Sequence, residues 1–136
     1  MPAAVEFRNG SWLLPSRTDE LFSLLREKRI ACVTADEPRY GSQATVPFIP
    51  AATTAVAYFR FHGRNRENWL KKGLETSLRY DYLYSDEELA GFVPHLLSSS
   101  EKTQVVYAMF NNCHGASAVR NARRLKEMLK EQGAVG

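Results

Sequence analysis

Hydrophobic and polar positions switch between two periods along this chain, and the switches mark its elements. At 3–7, "AAVEF" reads as a short strand ending at Arg8, followed by the turn residues of "NGSWLLPS". From about Thr18 the spacing becomes helical. Leu21, Phe22, Leu24 and Leu25 share one side of "TDELFSLLREKR", and Ser16 or Thr18 is placed to cap its first turn. "IACVTAD" (30–36) is a continuous apolar run closed by Asp36, the pattern of a buried strand. Residues 37–54 hold three of the six prolines and predict an irregular connection with room for one helical turn.

"AVAYFRFHG" (55–63) returns to a period of two and predicts the third strand. "RENWLKKG" reads as a short helix, and "RYDYLYS" alternates aromatic and polar residues. In "SDEELAGFVPHLLSS", Ser85 and Glu88 have the spacing of a capping box, and Pro94 is expected to kink or shorten the helix. "TQVVYAMFNN" (103–112) is the fourth strand. "ASAVRNARRLKEMLKEQG" (116–133) is the clearest helix, with Val119, Ala122, Leu125, Met128 and Leu129 as its apolar stripe and Gly133 as its stop.

Strands near 3–8, 30–36, 55–62 and 103–111, separated by helices, predict an α/β fold of (β/α) units with parallel strands. Four such units are about half of a TIM-type barrel, so residues 1–136 read as a single partial barrel domain. A half-barrel leaves two strand edges and its inner face uncovered. The expected cover is a homodimer or a separate N-terminal half-barrel chain.

With 44% apolar and 24% charged residues, the composition excludes disordered and collagenous classes. The formal charge of +3 is mild and favours an anionic small molecule, with nucleic acid as a weaker alternative. No leader pattern and no apolar run of membrane-spanning length is read, and Cys32 and Cys113 lack CxxC spacing. A cytoplasmic protein with reduced thiols and no membrane association is therefore expected.

Chemistry-bearing residues gather at the C-terminal ends of the strands: Glu6 and Arg8, then Thr34 and Asp36, then Arg60, His62 and Arg64, then Asn111 and Asn112. In parallel α/β sheets these ends form one layer, where sites are built. His62 is the candidate acid/base, with Glu6 and Asp36 as the carboxylates that orient it or accept protons. Arg8, Arg60, Arg64, Asn111 and Asn112 are the candidate substrate clamps. Gly115 opens a helix with small first residues, an arrangement that leaves backbone N–H groups open to an anion. No ligand-spacing motif points to a bound metal, the cofactor stays open, and no Walker loop, GxGxxG or GxSxG occurs.

"AVEFRNGSW", "VTAD", "AYFRFHGR", "RYDYLYSDEEL" and "FNNCHGASAVRNARRL" together resemble the domain-of-unknown-function family 72, the YecE-like proteins. The resemblance covers essentially the whole chain but only the C-terminal half of the family domain. It implies strands five to eight of a complete TIM-type barrel of roughly twice this length. It also implies a polar pocket at Glu6, Arg8, Asp36, Arg60, His62, Arg64, Asn111 and Asn112. Cys113-His114 lies where the family pattern is looser, and neither residue inherits a role.

Two readings of function follow. In the first, the chain is an enzyme or enzyme fragment acting on a phosphorylated or otherwise anionic substrate. In the second, it is a non-catalytic anion-, nucleotide- or nucleic-acid-binding module, or a truncated half-barrel without independent activity.

Overall fold

The computed structural model describes residues 2–41 and 43–133. Four strands form one parallel sheet in the order β1 (Ala3–Val5), β2 (Ile30–Asp36), β3 (Val56–Phe61) and β4 (Val105–Phe110). Each strand lies beside the next in sequence, with no reversal of order. A doubly wound sheet has such a reversal, whereas a barrel does not. β1 is shorter than expected, because its pairing with β2 ends at Val5 opposite Cys32.

Helix α1 (Thr18–Glu27) joins β1 to β2. Its N-cap is Arg17, and neither Ser16 nor Thr18 caps it; the Thr18 hydroxyl instead donates to the Pro15 carbonyl. Between β2 and β3 no helix is formed among the described residues. The segment 37–54 stands in for one, with Thr53 and Thr34 bonding it along β2.

After β3 the expected short helix at "RENWLKKG" is replaced by turns, and a single helical turn, α2 (Thr76–Arg79), forms further on. The reason is local. Asn65 accepts from the Asn68 N–H, and both amides donate to carbonyls of Asp81 and Leu78, competing with helical bonding.

Helix α3 (Asp86–Lys102) has the reciprocal capping box between Ser85 and Glu88. Pro94 lies within it and does not shorten it: the helix runs on to Lys102. In α4 (Ser117–Glu131) the buried stripe is Asn121, Leu125 and Met128. Val119, assigned to the stripe from sequence, is 54% exposed, so the apolar face is rotated and carries an asparagine.

The main core lies between β3, β4 and the two long helices: Phe59, Phe61, Tyr84, Leu89, Phe92, Leu96 and Leu125. Alternation along β3 gives the sheet two unlike faces. Ala57, Phe59 and Phe61 point to the helices, while Val56, Tyr58 and Arg60 point to the other side. That second face is open. Tyr107, stacked on Tyr58 at 5.3 Å, is 48% exposed there, far more than strands of a covered parallel sheet allow.

Candidate functional site

The strand ends carry two polar clusters, one on each face. Register decides the separation. Asp36 pairs with Phe61, so its side chain shares the helix face, whereas Ala35 pairs with Arg60 on the open face. Reading the four strand ends as one pocket is corrected accordingly: Asp36 and Glu6 stand on opposite sides of the sheet.

On the helix face, Asp36 is fully buried and accepts two bonds from Arg64, Nε to Oδ2 at 2.9 Å and Nη2 to Oδ1 at 2.8 Å. The Tyr84 hydroxyl donates to Asp36 Oδ2 at 2.7 Å and accepts from the Gly63 N–H at 2.8 Å. Burial and the neighbouring Asp36 carboxylate push the Tyr84 phenol far above its ordinary range. Arg64 also donates to Glu88, which accepts from the Tyr82 hydroxyl. Burial and Glu88 push the Tyr82 phenol up to about 12.

The sequence spaces Arg64 two residues after His62, as if on the same face. Gly63 breaks that alternation with φ +91° and turns Arg64 to the helices. Asn112 is also structural. It is fully buried, and its Nδ2 donates to the Tyr82 carbonyl and to Asn121 Oδ1. Gly115 stays apart and exposed, with φ +60° and nothing within 4 Å of where a Cβ would stand.

The open face holds the second cluster. Glu6 Oε1 accepts from Arg60 Nη1 at 3.1 Å and lies 3.3 Å from His62 Nε2, and Glu6 Oε2 is 3.4 Å from Arg8 Nε. Burial raises the Glu6 carboxyl, but His62, Arg60 and Arg8 together outweigh it and hold the group below its ordinary range. His62 is fully buried, with Trp69 and Tyr80 packed near its ring. Its Nδ1 is 3.1 Å from Asn111 Nδ2. An amide nitrogen donates only, so Nδ1 accepts and the ring proton sits on Nε2, facing Glu6.

Glu37 is the residue that sequence reasoning passes over. It lies one residue beyond β2, buried, with Oε1 accepting the Val46 N–H at 2.6 Å. Burial pushes its carboxyl up, and Glu6 adds to that, against the weaker pull of Val46, His62 and Arg8. The signal in the sequence is its parity with Ala35, obscured because "DEPR" reads as the start of a loop.

Among the described residues no group of three or more His, Cys, Asp or Glu side chains is arranged to hold a metal ion. No helix among them is long and apolar enough to cross a membrane.

A protein-family model described as "Protein of unknown function DUF72" matches residues 1–135. The chain is 30% identical over 132 residues to the UPF0759 protein YunF of Bacillus subtilis (strain 168), covering 95% of this chain and 47% of that protein. It is also similar to a crystal structure of a DUF72 family protein from Enterococcus faecalis V583. That match has a TM-score of 0.87 at 33% identity and covers 96% of this chain and 48% of the other. A second such structure, from Thermotoga maritima MSB8, gives 0.83 at 39% identity over 96% of this chain and 46% of the other. The chain thus spans about half the length of the relatives it matches.

Proposed function

The chain belongs to the family described as protein of unknown function DUF72, and from that premise we propose that its open-face strand ends are half of an active site for a phosphorylated or otherwise anionic substrate. Supporting this reading above all is Glu6, a carboxylate ringed by His62, Arg60 and Arg8, two of which keep donors to spare. The Arg60 side chain is 32% exposed and gives one nitrogen to Glu6. Arg8 is 65% exposed and holds Glu6 by one long contact. A phosphate or carboxylate docking between them accepts bidentate, charge-assisted bonds.

Glu6 is the acid–base group of this proposal. An anion bound to Arg8 and Arg60 cancels the field that keeps Glu6 ionised and adds a like charge beside it. Both effects raise its affinity for a proton, so substrate binding turns it into a competent base. His62 is buried from solvent beneath the open-face cluster and acts as the positioning residue, donating Nε2–H to Glu6 and held in that tautomer by Asn111. Asp36, Arg64 and Asn112 serve by fixing the loops that frame the site.

The test is calorimetric titration with inorganic phosphate and a panel of phosphate monoesters, with turnover followed in parallel. Arg60→Met is expected to weaken binding about ten- to hundredfold, the range for a charge-assisted bond. Glu6→Gln is expected to abolish turnover and leave binding intact or tighter. Unchanged affinity in both Arg60→Met and Arg8→Met sinks the proposal.

The complete burial of His62 favours a second reading, a binding module without turnover. Ligand binding that persists while no turnover appears with any panel member supports it. A steep fall of affinity with salt is the mark of a nucleic-acid ligand. For the exposed sheet face we propose cover by a second copy of the chain or by a separate half-barrel chain, read out as solution mass by light scattering.

A further inference from the structure

Register brings three side chains into one row across three strands. Ala35 pairs with Arg60 and Phe61 with Phe110, so two residues on from Ala35 and Arg60, Glu37 falls beside His62, and one residue on from Phe61 and Phe110, His62 falls beside Asn111. The ladder continues far enough to fix this row: the His62 N–H donates to the Asp36 carbonyl at 2.9 Å and the Asn111 N–H to the Phe61 carbonyl at 2.8 Å. Glu37, His62 and Asn111 therefore lie side by side on the open face, and Glu6 reaches the same imidazole from β1.

Glu37 differs from every other carboxylate in these clusters. Glu6, Asp36 and Glu88 each form an ion pair, whereas Glu37 forms none among the described residues. Its Oε1 is satisfied by the Val46 N–H. No hydrogen bond to its Oε2 is formed among the described residues, while Oε1 is the atom tied to the connection. A buried carboxyl with one oxygen anchored by a backbone N–H and no ion pair among the described residues is suited to carry a proton.

We propose that Glu37 is a further proton-transfer residue of the Glu6 site, and that the two glutamates work as an acid–carboxylate pair on either side of His62. This rests on the reading of that site as catalytic. Glu37 gives the proton on Oε2 to the substrate oxygen that gains charge, forming an O–H bond there. Glu6 takes one proton from the substrate. The protein's proton count is unchanged by the step, and the two carboxyls exchange protonation states. The groups that bear on Glu37 are Glu6 and Arg8 from the β1 end, His62 from the end of β3 and the Val46 N–H from its own connection; Arg60 and Asn111 bond to Glu6 and His62 in turn. Burial and Glu6 favour its protonated form, in agreement with the geometry.

The experiment is a carbon-detected NMR titration of glutamate carboxyls in the intact chain, with Glu37→Gln and Glu6→Gln assigning the two signals. Gln at 37 keeps an acceptor for the Val46 N–H, so that variant holds the loop. The expected result is Glu37 titrating above the ordinary glutamate value of about 4.3 and Glu6 below it. Removing the charge with Glu6→Gln then lowers the Glu37 midpoint, and adding inorganic phosphate raises that of Glu6. A Glu37 midpoint at or below the ordinary value, or one unmoved by Glu6→Gln, overturns the pair and leaves Glu37 as a loop anchor. Phosphate that moves neither signal instead counts against the anion site. The two failures are therefore read separately.

Discussion

Arg64 and Asp36 form a two-bond ion pair in which the carboxylate is completely buried and the guanidinium lies against the rings of Tyr84 and Phe92. Removing one member of such a pair strands the other. Asp36→Ala is expected to destabilise the chain by about 3–5 kcal/mol. Tyr84→Phe, which removes the bridge from Asp36 to the Gly63 N–H, is expected to cost about 1–3 kcal/mol. The double variant should cost less than the sum, because both remove support from one network. Denaturant unfolding measures all three, and an additive result would place the residues in separate networks.

Glu6 and Glu37 predict opposite signs of pH dependence. Glu6 has its folded-state pKa lowered, so its contribution is present above the unfolded value and is lost as pH falls through the folded one. Glu6→Gln should therefore destabilise the chain at neutral pH and matter less in acid. Glu37 is raised, so its ionisation weakens the fold as pH climbs from the unfolded value through the folded one. Glu37→Gln should stabilise at neutral pH and be neutral in acid. Thermal unfolding of both variants in mild acid and at neutral pH checks the crossing.

Two glycines with positive φ separate strain from crowding. At Gly63, φ is +91° and a Cβ would stand 2.7 Å from Tyr82 Cβ, an atom next to the backbone with little freedom to move. Gly63→Ala should cost about 3 kcal/mol or more. Gly115 has φ +60° and nothing within 4 Å, so Gly115→Ala should cost only about 1 kcal/mol, the backbone term alone. Comparable losses at the two sites would mean that the Gly63–Tyr82 approach relaxes freely.

Burial pushes the Cys32 thiol up to about 11, and Cys113 is exposed. The thiolate is the reactive form, so a thiol reagent at neutral pH should modify one cysteine in the folded chain and two in denaturant. Cys113→Ser should abolish the native reaction. Two fast-reacting thiols without denaturant would mean β2 opens readily.

Much of the fold is legible in the order of the residues. Apolar runs, period-two alternation and helical spacing locate all four strands and the long helices, because these patterns record which sides of each element are buried. The capping box at Ser85 and Glu88 is local and equally readable. The stripe of α4 is misjudged at Val119 and Asn121, since hydrophobicity alone does not reveal that a buried amide satisfies the Tyr84 backbone. The helix expected near Trp69 does not form because the Asn65 and Asn68 amides bond to carbonyls of Asp81 and Leu78, outside any periodic pattern.

For the site, residue order alone names the candidates: Glu6, Arg60, His62 and Asn111 all sit at strand ends, and parity puts Arg60 with His62. Which of them meet is set by the folded chain. Strand register puts Asp36 on the helix face and Glu37 on the open one, and the backbone turn at Gly63 carries Arg64 away from His62. Alternation fixes sides only within a strand. The relation between strands, and the direction of the chain after each strand ends, depend on long-range pairing and packing, which local pattern does not encode.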